Sequence, residues 1–575
     1  MHLWYIGNTS VRSAMRLRDG LVALAASPLQ GNLRGKDGDL AFRNLLGERG
    51  IVSLGDDDTY SVGRKWRSAL NKLGFLYPKV ESGSGLTQAE VGPMDSITPN
   101  GRRLINSESV PAMQECFLRA LAAQYIEIAK PDGEVILFSP LKHTLKVLLK
   151  LEAVTGEASA SFIEMALFIQ TTTSQDSIDQ LAEDIASFRK ERRAAESVKR
   201  FDSGHYDRAA EALKKTGQTF RDYADCNQRY LKATGLIQSK GRGIILIPEK
   251  RLFAELLADD QTVPRTELER YTVLCNGAAL PTDERGAALE VLNDLRRKAG
   301  AMGIAFEAAE RPPGGPADIA VLRHELEDLI FKRKEILYAG QQAGQWLEIC
   351  EYMDLIAARG ERRKFEDFEI CVPRTEAPAY LEWVLWRAFL ALGQLANKPY
   401  EARRFKIDQD FLPVGTAPGN GPDLIMEFSD FVIAVEVTLT ESSRQEAVEG
   451  EPVRRHVADL MMRYADRNKP VYGLFIANRI DSNTAETFRI GAWYTKDDQR
   501  LSLTIVPMTL SQFRCFLKAH FEAGRASPEA VRRLLIKCAE YRPACEGPEW
   551  KRNIDQTVTE AVSTACPSFK NMLLF

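Results

Sequence analysis

The spacing of hydrophobic and polar residues changes along the 575-residue chain, and each change predicts a different kind of structure. In residues 1–155, short helical patterns alternate with turn-rich connections. Residues 257–375 have helical spacing without the sustained heptads of a coiled coil. Residues 376–575 alternate strand-like and helix-like patterns, as an α/β domain does. Because the chain is too long for one hydrophobic core, we expect several domains.

The first of two similar segments in the N-terminal half begins with an amphipathic helical pattern. Trp66, Leu70, Leu73 and Phe75 can line one face of this helix, and Gly74 is suited to end it. A polar, glycine-rich stretch with hairpin character and a second helix start follow. This order of elements is typical of a winged-helix domain, and a generic α/β domain is the alternative.

The second segment repeats the arrangement with a clearer hairpin. Its helix carries Tyr223, Tyr230 and Leu231 and ends at Gly235. Residues 236–247 then form two strand-like runs around a basic turn, which predicts a β-hairpin. A single charge run is more often a solvated helix face, but two wing-like units with basic tips indicate contact with DNA.

Net charge does not identify a nucleic-acid-binding protein here, since its formal value is −3. Phosphate contacts act over about a Debye length, so the local distribution of basic residues matters more than the total. We expect double-stranded DNA as the partner, with contacts from basic residues of both segments and of the helix before the second. These residues are Arg64, Lys65, Arg67, Arg102, Arg103, Arg192, Arg193, Lys240 and Arg242.

Composition argues against several classes of protein and site. The nine cysteines form no C-x-x-C pair and the six histidines no H-E-x-x-H, which argues against a disulfide framework and a zinc site. No apolar run reaches about 18 residues, so no transmembrane helix or membrane partner is expected. The N-terminus lacks the apolar core and cleavage site of a signal peptide, which predicts a cytoplasmic protein.

Candidate chemistry is concentrated in the last region of the chain. Glu436 interrupts an apolar, β-branched run, and an ionised carboxylate there is costly unless it is paired or binds a metal. Asp423 precedes it by twelve intervening residues, a spacing at which a β-hairpin can bring both carboxylates to one end. Mg²⁺ prefers oxygen ligands and retains water, so two carboxylates and a backbone carbonyl suffice to bind it. The alternative is an aspartate in a turn and a glutamate in an ion pair.

The same residues match the PD-(D/E)xK nuclease pattern, with Asp423 and Glu436 in its acidic positions. Thr438 stands where that pattern has lysine. Two further acids add to the match. Glu382 lies on a strongly apolar helical pattern and is expected to point inward, and Glu449 follows Glu436 by another twelve intervening residues. Glu449 could replace the absent lysine in orienting the attacking water.

Four blocks of sequence resemble the AlwI family, which contains type IIS restriction endonucleases and related site-specific nicking endonucleases. They are E-W-x-x-W from Glu382, P-V-x-x-A-x-G-N-x-P-D ending at Asp423, E-V-T from Glu436 and E-x-E-P-V-x-R-H from Glu449. Their order and spacing agree with the family, in which Thr438 is no departure. The resemblance implies catalytic roles for these four acids. It also implies metal binding by Asp423, Glu436 and the backbone carbonyl of Val437.

Further expectations follow from the resemblance. It implies Mg²⁺-dependent hydrolysis of DNA at a fixed distance from an asymmetric site that the N-terminal half reads. Arg455 and His456 also match the family, with helix packing and phosphate contact both open as their role. One nuclease site cuts one strand, so a double-strand break needs a transient homodimer or a smaller catalytic subunit, and the monomer alone would nick. The alternative is a non-catalytic winged-helix DNA-binding regulator.

These patterns and the resemblance predict a multidomain protein. We expect winged-helix-like α+β recognition subdomains in residues 1–155 and 156–256. A helical linker is expected in residues 257–375, followed by an α/β nuclease domain of the PD-(D/E)xK type in residues 376–575.

Overall fold

The computed structural model describes residues 2–9, 11, 13–52, 54, 61–129, 133, 135–306, 314–365 and 369–566. The protein is rich in helix and of mixed α/β structure, in agreement with the multidomain class expected from the sequence. The chain forms two compact units, Met1–Phe331 and Lys332–Phe575. The division falls inside the expected helical linker, while the domain boundaries at residues 155, 256 and 375 remain predictions.

The N-terminal unit consists mainly of helices, with small two- and three-stranded pairings between them. One hydrophobic cluster packs Leu292 and Leu295 against Leu326 and Ile330. The elements are α1 Leu17–Ala25, α2 Gly35–Glu48, α3 Ser61–Lys72, α4 Gln88–Val91, α5 Pro99–Ile105, α6 Val110–Ala122, β1 Ile126–Ala129, β2 Val135–Phe138, α7 Pro140–Thr155, β3 Ser159–Ala160, α8 Phe162–Leu167, α9 Ile178–Ala194, α10 Val198–Leu213, α11 Gly217–Ala233, β4 Ile237–Lys240, β5 Gly243–Leu246, α12 Arg251–Asp259, α13 Glu267–Asn276, α14 Arg285–Ala301 and α15 Pro316–Gln341, which contains the division between the units.

The first expected wing differs from the sequence prediction. Helix α3 ends at Lys72, so Leu73 and Phe75 lie beyond it, although both are fully buried as the pattern required. Gly74 follows in the left-handed conformation. Instead of a paired hairpin, a single antiparallel bridge joins Leu76 to Ile97. The polar stretch between them contains the short helix α4, because Thr87 and Glu90 form a capping box there.

The second predicted hairpin is present. Helix α11 is followed by β4 and β5, which pair antiparallel with Lys240 opposite Gly243 at the basic turn. Strand β5 also pairs with β3, so the hairpin is part of a three-stranded sheet. Ile237 and Ile244 are fully buried, which fixes the hairpin to the helices beneath it.

The C-terminal unit contains a four-stranded sheet in the order β13-β10-β9-β8. Strands β9, β10 and β13 are parallel, and β8 pairs antiparallel with β9 at the edge. The elements of this unit are α16 Trp346–Ala357, β6 Arg362–Lys364, β7 Glu369–Cys371, α17 Ala377–Leu392, α18 Pro399–Ala402, β8 Leu424–Glu427, β9 Val432–Thr438, α19 Gln445–Tyr464, β10 Val471–Ala477, α20 Ser482–Ile490, β11 Ala492–Tyr494, β12 Arg500–Ser502, β13 Thr504–Thr509, α21 Leu510–Glu522, α22 Pro528–Glu540 and α23 Gly547–Ala565.

The β8–β9 hairpin has a very short connection. Glu427 pairs with Val432, and the N–H of Phe428 donates to the carbonyl oxygen of Phe431 at 2.9 Å. Only Ser429 and Asp430 therefore lie between the two paired runs. Strand β9 is buried along nearly its whole length, as its apolar sequence predicts.

Two expectations from composition can be compared with the fold. None of the helices in the described ranges is long and apolar enough to cross a membrane. All nine cysteines are free thiols, five of them buried, which agrees with the absence of a disulfide framework.

Candidate active site

The β8–β9 hairpin brings Asp423 and Glu436 to the same end of the sheet. Leu424 is paired with Val435, so Asp423 comes just before this pair and Glu436 just after it. The backbone N–H of Val437 donates to Oδ2 of Asp423 at 2.8 Å. The spacing of twelve residues therefore produces the hairpin that the sequence predicted, with both carboxylates beyond its last pair.

Glu382 reaches this end of the sheet from helix α17. The helix is buried from Ala379 to Leu392, and the Glu382 side chain is only 5% exposed among its apolar neighbours. Its Oε2 accepts a hydrogen bond of 2.7 Å from the backbone N–H of Ala417, in the loop that leads to Asp423. Among the described residues, the Glu382 carboxylate therefore has a hydrogen-bond partner but forms no ion pair.

Glu449 reaches the site from the first turns of helix α19. Its carboxylate accepts a hydrogen bond from the hydroxyl of Thr438, the last residue of β9. Thr438 thus holds an acid at the position where the broader nuclease pattern has a lysine. Four carboxylates from α17, β9, α19 and the start of β8 are thereby brought together.

His456 lies two turns further along α19, on its buried face. Its Nδ1 is hydrogen-bonded to Oε1 of Glu436 at 2.7 Å, while its buried Nε2 has no hydrogen-bond partner in the described part of the protein. Arg455 is 37% exposed and pairs with Glu451 one turn away. Of the two residues left open by the sequence, His456 therefore contacts the carboxylate cluster and Arg455 lies on the outer side of the helix.

The carboxylates oppose one another electrostatically. Burial raises the pKa of Glu382, Asp423 and Glu436 well above their ordinary values, and the charges of neighbouring acids raise them further. Burial also raises the pKa of Glu449, against the opposing hydrogen bond from Thr438. Keeping all four ionised is therefore unfavourable, and a bound cation would relieve both the desolvation and the repulsion.

The oxygen atoms of the cluster are of the kind that a hard divalent cation prefers. No group of three or more His, Cys, Asp or Glu side chains in the described ranges is arranged to hold a metal ion by itself. Asp423, Glu436 and the carbonyl of Val437 form a smaller set, because two carboxylates and one carbonyl leave positions for water and phosphate. In an extended strand the N–H and C=O of one residue point the same way, and the N–H of Val437 points to Asp423. The residues present therefore fit Mg²⁺ with an incomplete protein shell.

Most of the basic residues expected to bind DNA are exposed, and only Arg67 and Arg192 are partly buried. Five of the nine also have partners within the N-terminal unit: Arg67 with Asp39, Arg103 with Asn100 and Asn276, Arg192 with Asp202, Lys240 with Glu157, and Arg242 over the ring of Phe162.

Some of these residues line a common cleft. Arg192, Arg193 and Lys240 lie together with Arg189 around a cavity of about 350 Å³ beside the second hairpin. Arg189 is held by Glu164, and Lys240 by Glu157, so the cleft contains acids as well as bases. DNA contact at this face requires phosphate to compete with these carboxylates, and it stays a prediction.

Sequence reasoning did not single out Arg404. Its guanidinium donates to the carbonyl oxygen of Pro422 at 3.1 Å and to Oδ1 of Asn420, directly before Asp423. Gly421 lies between these two partners. A signal was present in the sequence, since a glycine such as Gly421, at the variable position of the G-N-x-P-D block, can indicate that another group approaches the backbone closely.

Comparisons with known proteins give a match to one family and similarity to solved structures, nine chains of which match. Residues 71–516 match the sequence profile of the AlwI restriction endonuclease family. The chain is also similar to the crystal structure of the small subunit of the heterodimeric restriction endonuclease R.BspD6I. That similarity has 24% sequence identity and a TM-score of 0.28, and it covers 36% of this chain and 96% of the subunit. No curated protein matches the chain.

Proposed function

As this chain belongs to the AlwI restriction endonuclease family, we propose that it is a site-specific type IIS DNA endonuclease that requires Mg²⁺. The N-terminal half would bind an asymmetric duplex site through its two winged-helix-like subdomains. The C-terminal domain, of the PD-(D/E)xK type, would hydrolyse phosphodiester bonds at a fixed distance outside that site. Such an enzyme acts in the cytoplasm, as the restriction component of a restriction–modification system.

One observation carries the catalytic part of the proposal. Glu382, Asp423, Glu436 and Glu449 come from separate segments and converge at one end of the sheet, where each raises the cost of ionising another. A stable fold gains nothing from four neighbouring buried carboxylates. Chemistry at a metal and a phosphate does need them, which makes the cluster a candidate catalytic site.

The roles of the residues follow from their contacts. Asp423, Glu436 and the Val437 carbonyl would hold Mg²⁺, which when bound supplies charge neutralisation at the phosphate and a more acidic water. Glu449, held by Thr438, would orient the attacking water and take its proton as the water oxygen bonds to phosphorus. The ester P–O bond on the other side of the phosphorus then breaks, and the leaving oxygen takes a proton from bulk water. Alternatively, Glu382 would hold that water, or one of these two acids would hold a second metal ion. His456 keeps the Glu436 carboxylate in position through its Nδ1.

The number of strands cut depends on assembly. One such site contains a single set of acids and would hydrolyse one strand, so the monomer would nick. A double-strand break would need either a transient homodimer through the cleavage domains or a smaller catalytic subunit. Recognition in the N-terminal half and cutting in the C-terminal half are compatible with all three arrangements.

A plasmid assay tests the proposal against the alternative of a non-catalytic DNA-binding regulator. Supercoiled DNA should become nicked or linear in Mg²⁺ and remain intact in EDTA. Asp423→Ala and Glu436→Ala should abolish cutting and leave site-specific binding nearly unchanged, because recognition is assigned to the other half. A wild-type chain that binds DNA but never cuts it in Mg²⁺ or Mn²⁺ would favour the regulator.

A further inference from the structure

Arg404 is positioned beside the carboxylate cluster by the backbone. Its neighbour Arg403 forms an isolated antiparallel bridge with Leu424, the first residue of β8. The Arg403 side chain turns inward to the fully buried Glu335, with two hydrogen bonds of 2.7 and 2.8 Å. Because adjacent residues of an extended segment point to opposite sides, Arg404 is directed the other way, toward the loop that carries Asp423.

The loop before Asp423 holds the Arg404 guanidinium in place. Nη1 donates to the carbonyl oxygen of Pro422 and Nη2 to Oδ1 of Asn420. A Cβ atom on Gly421 would lie only 2.6 Å from Nη1 and 3.0 Å from Cζ, so the guanidinium rests against the glycine backbone. Gly419, two residues earlier in the same loop, has no atom within 4 Å of the corresponding position.

The positive charge of Arg404 acts on the cluster without being neutralised by it. It lowers the pKa of Glu382 and of Glu436 and opposes protonation of His456. In the described ranges, however, Arg404 forms no ion pair with any carboxylate. Its two hydrogen bonds use two of the five N–H donors of a guanidinium, which leaves three donors and the charge for another group.

We propose that Arg404 binds a non-bridging oxygen of the scissile phosphate and supplies there the positive charge that Thr438, standing where the nuclease pattern has lysine, does not. The inference rests on the proposed nuclease function. Four carboxylates repel an approaching phosphate, and hydrolysis adds further negative charge to its oxygens. A fixed guanidinium with free donors beside Asp423 opposes that repulsion and stabilises the developing charge, as arginine does at other transferring phosphates.

The proposal also explains features of the loop before Asp423, in which Gly421 occupies the variable position of the G-N-x-P-D block. Asn420 and Pro422 supply the two acceptors that orient the guanidinium, and Gly421 leaves the space in which it lies. Asp423 completes the block as a proposed metal ligand. Residues 420–423 thus hold the Arg404 cation for the phosphate and carry the Asp423 carboxylate for the metal.

Single-turnover cutting of supercoiled plasmid by the full-length chain tests the inference. Arg404→Ala should cut about a hundredfold more slowly, the usual loss for one donor to a developing negative charge, and should lose no more DNA affinity than one phosphate contact supplies. Arg404→Lys should retain more activity than Arg404→Ala, because it keeps the charge without the guanidinium fork. Millimolar guanidinium added to Arg404→Ala should restore part of the rate, which a merely structural defect would not allow.

The glycines provide matched controls. Gly421→Ala should slow cutting about tenfold or more by displacing the guanidinium, whereas Gly419→Ala should stay within about twofold of wild type. The double variant Arg404→Ala/Gly421→Ala should cut no more slowly than Arg404→Ala, since both changes remove one contact. Losses that multiply, or an Arg404→Ala variant that cuts within about threefold of wild type, would overturn the inference. If wild type itself never cuts, the proposed function fails instead.

Discussion

Asp423→Asn is expected to abolish cutting and, in the absence of divalent metal, to stabilise the protein. Burial and the charges of Glu436 and Glu449 oppose ionisation of the Asp423 carboxyl. The amide removes that charge, yet its oxygen can still accept the hydrogen bond from the N–H of Val437. The same substitution therefore removes a proposed metal ligand, which abolishes cutting, and relieves repulsion among the carboxylates, which stabilises the fold.

The expected stabilisation by Asp423→Asn is small, because the substitution changes charge but hardly changes shape. Aspartate and asparagine have nearly the same shape, so no cavity forms, and the gain should be about 0.5–2 kcal/mol, as for other stabilising changes at functional sites. One kcal/mol moves Tm by roughly 2–4 °C in a unit of 150–250 residues. Lys332–Phe575 is of this size. We therefore expect Tm to rise by about 1–8 °C, while the cutting rate falls by more than about a hundredfold.

Thermal unfolding in EDTA and in Mg²⁺ is the assay, alongside plasmid cutting. Mg²⁺ should raise the Tm of wild type and leave that of Asp423→Asn nearly unchanged, since binding to the folded state is what stabilises. Asp430→Asn is the matched control. Asp430 lies in the turn of the same hairpin, is 60% exposed and pairs with Arg532 at 2.8 Å. A surface pair of this kind contributes about 0–1 kcal/mol, so the control should lose a little stability or none.

The reasoning would be refuted by a lower Tm of Asp423→Asn in EDTA, because the carboxylate would then be a stabilising structural partner. Normal cutting by the variant would remove Asp423 from the catalytic assignment. A Mg²⁺-dependent rise in the Tm of the variant equal to that of wild type would place the metal elsewhere.

Three further predictions concern binding, domain organisation and pH. Replacing Lys240 and Arg242 together by Gln should weaken DNA binding and reduce the slope of log K against log salt by about one per lost phosphate contact, and an unchanged slope would place this hairpin away from DNA. A fragment of residues 332–575 should fold, and it should cut DNA without sequence preference and only at high enzyme concentration. If the fragment cut at a defined sequence, recognition and cleavage would not be assigned to separate parts of the chain. Burial lowers the pKa of His143 from 6.5 to about 4. Neutral His143 therefore contributes to the free energy of unfolding fully above pH 6.5, and this contribution is lost as the pH falls toward 4. The total loss is about 3 kcal/mol. Urea unfolding should show this loss in wild type and not in His143→Gln, and equal pH dependence of both would contradict the assignment.

Local patterns predicted a substantial part of the fold. Apolar and polar residues hardly alternate in the run around Glu436, which indicates a strand buried on both faces. The single acid within this run therefore indicated a functional carboxylate. The second hairpin was predictable because its glycines and β-branched residues are contiguous. Glu382 was expected to point inward because every neighbour on its helix is apolar.

Other features depend on contacts that no local pattern contains. The polar stretch after Gly74 was read as a hairpin, but a capping box between Thr87 and Glu90 favours a short helix there. Arg404 was missed because its partners lie 16 and 18 residues away in sequence. A pair of arginines before an apolar segment is usually a surface feature, and only the opposite directions of Arg403 and Arg404 distinguish them.

The two-residue turn at Ser429 and Asp430 limits how this chain can change in length. Two residues are the shortest common connection for a hairpin, so removing one must slide a strand against its partner. Since side chains alternate between faces, a slide of one residue would turn Glu436 to the opposite face of the sheet. Added residues, in contrast, can extend the turn into solvent and leave the paired run intact. Descendants of this sequence, or engineered variants of it, can therefore accept insertions at the turn but not deletions, and a tag or reporter peptide is best inserted there.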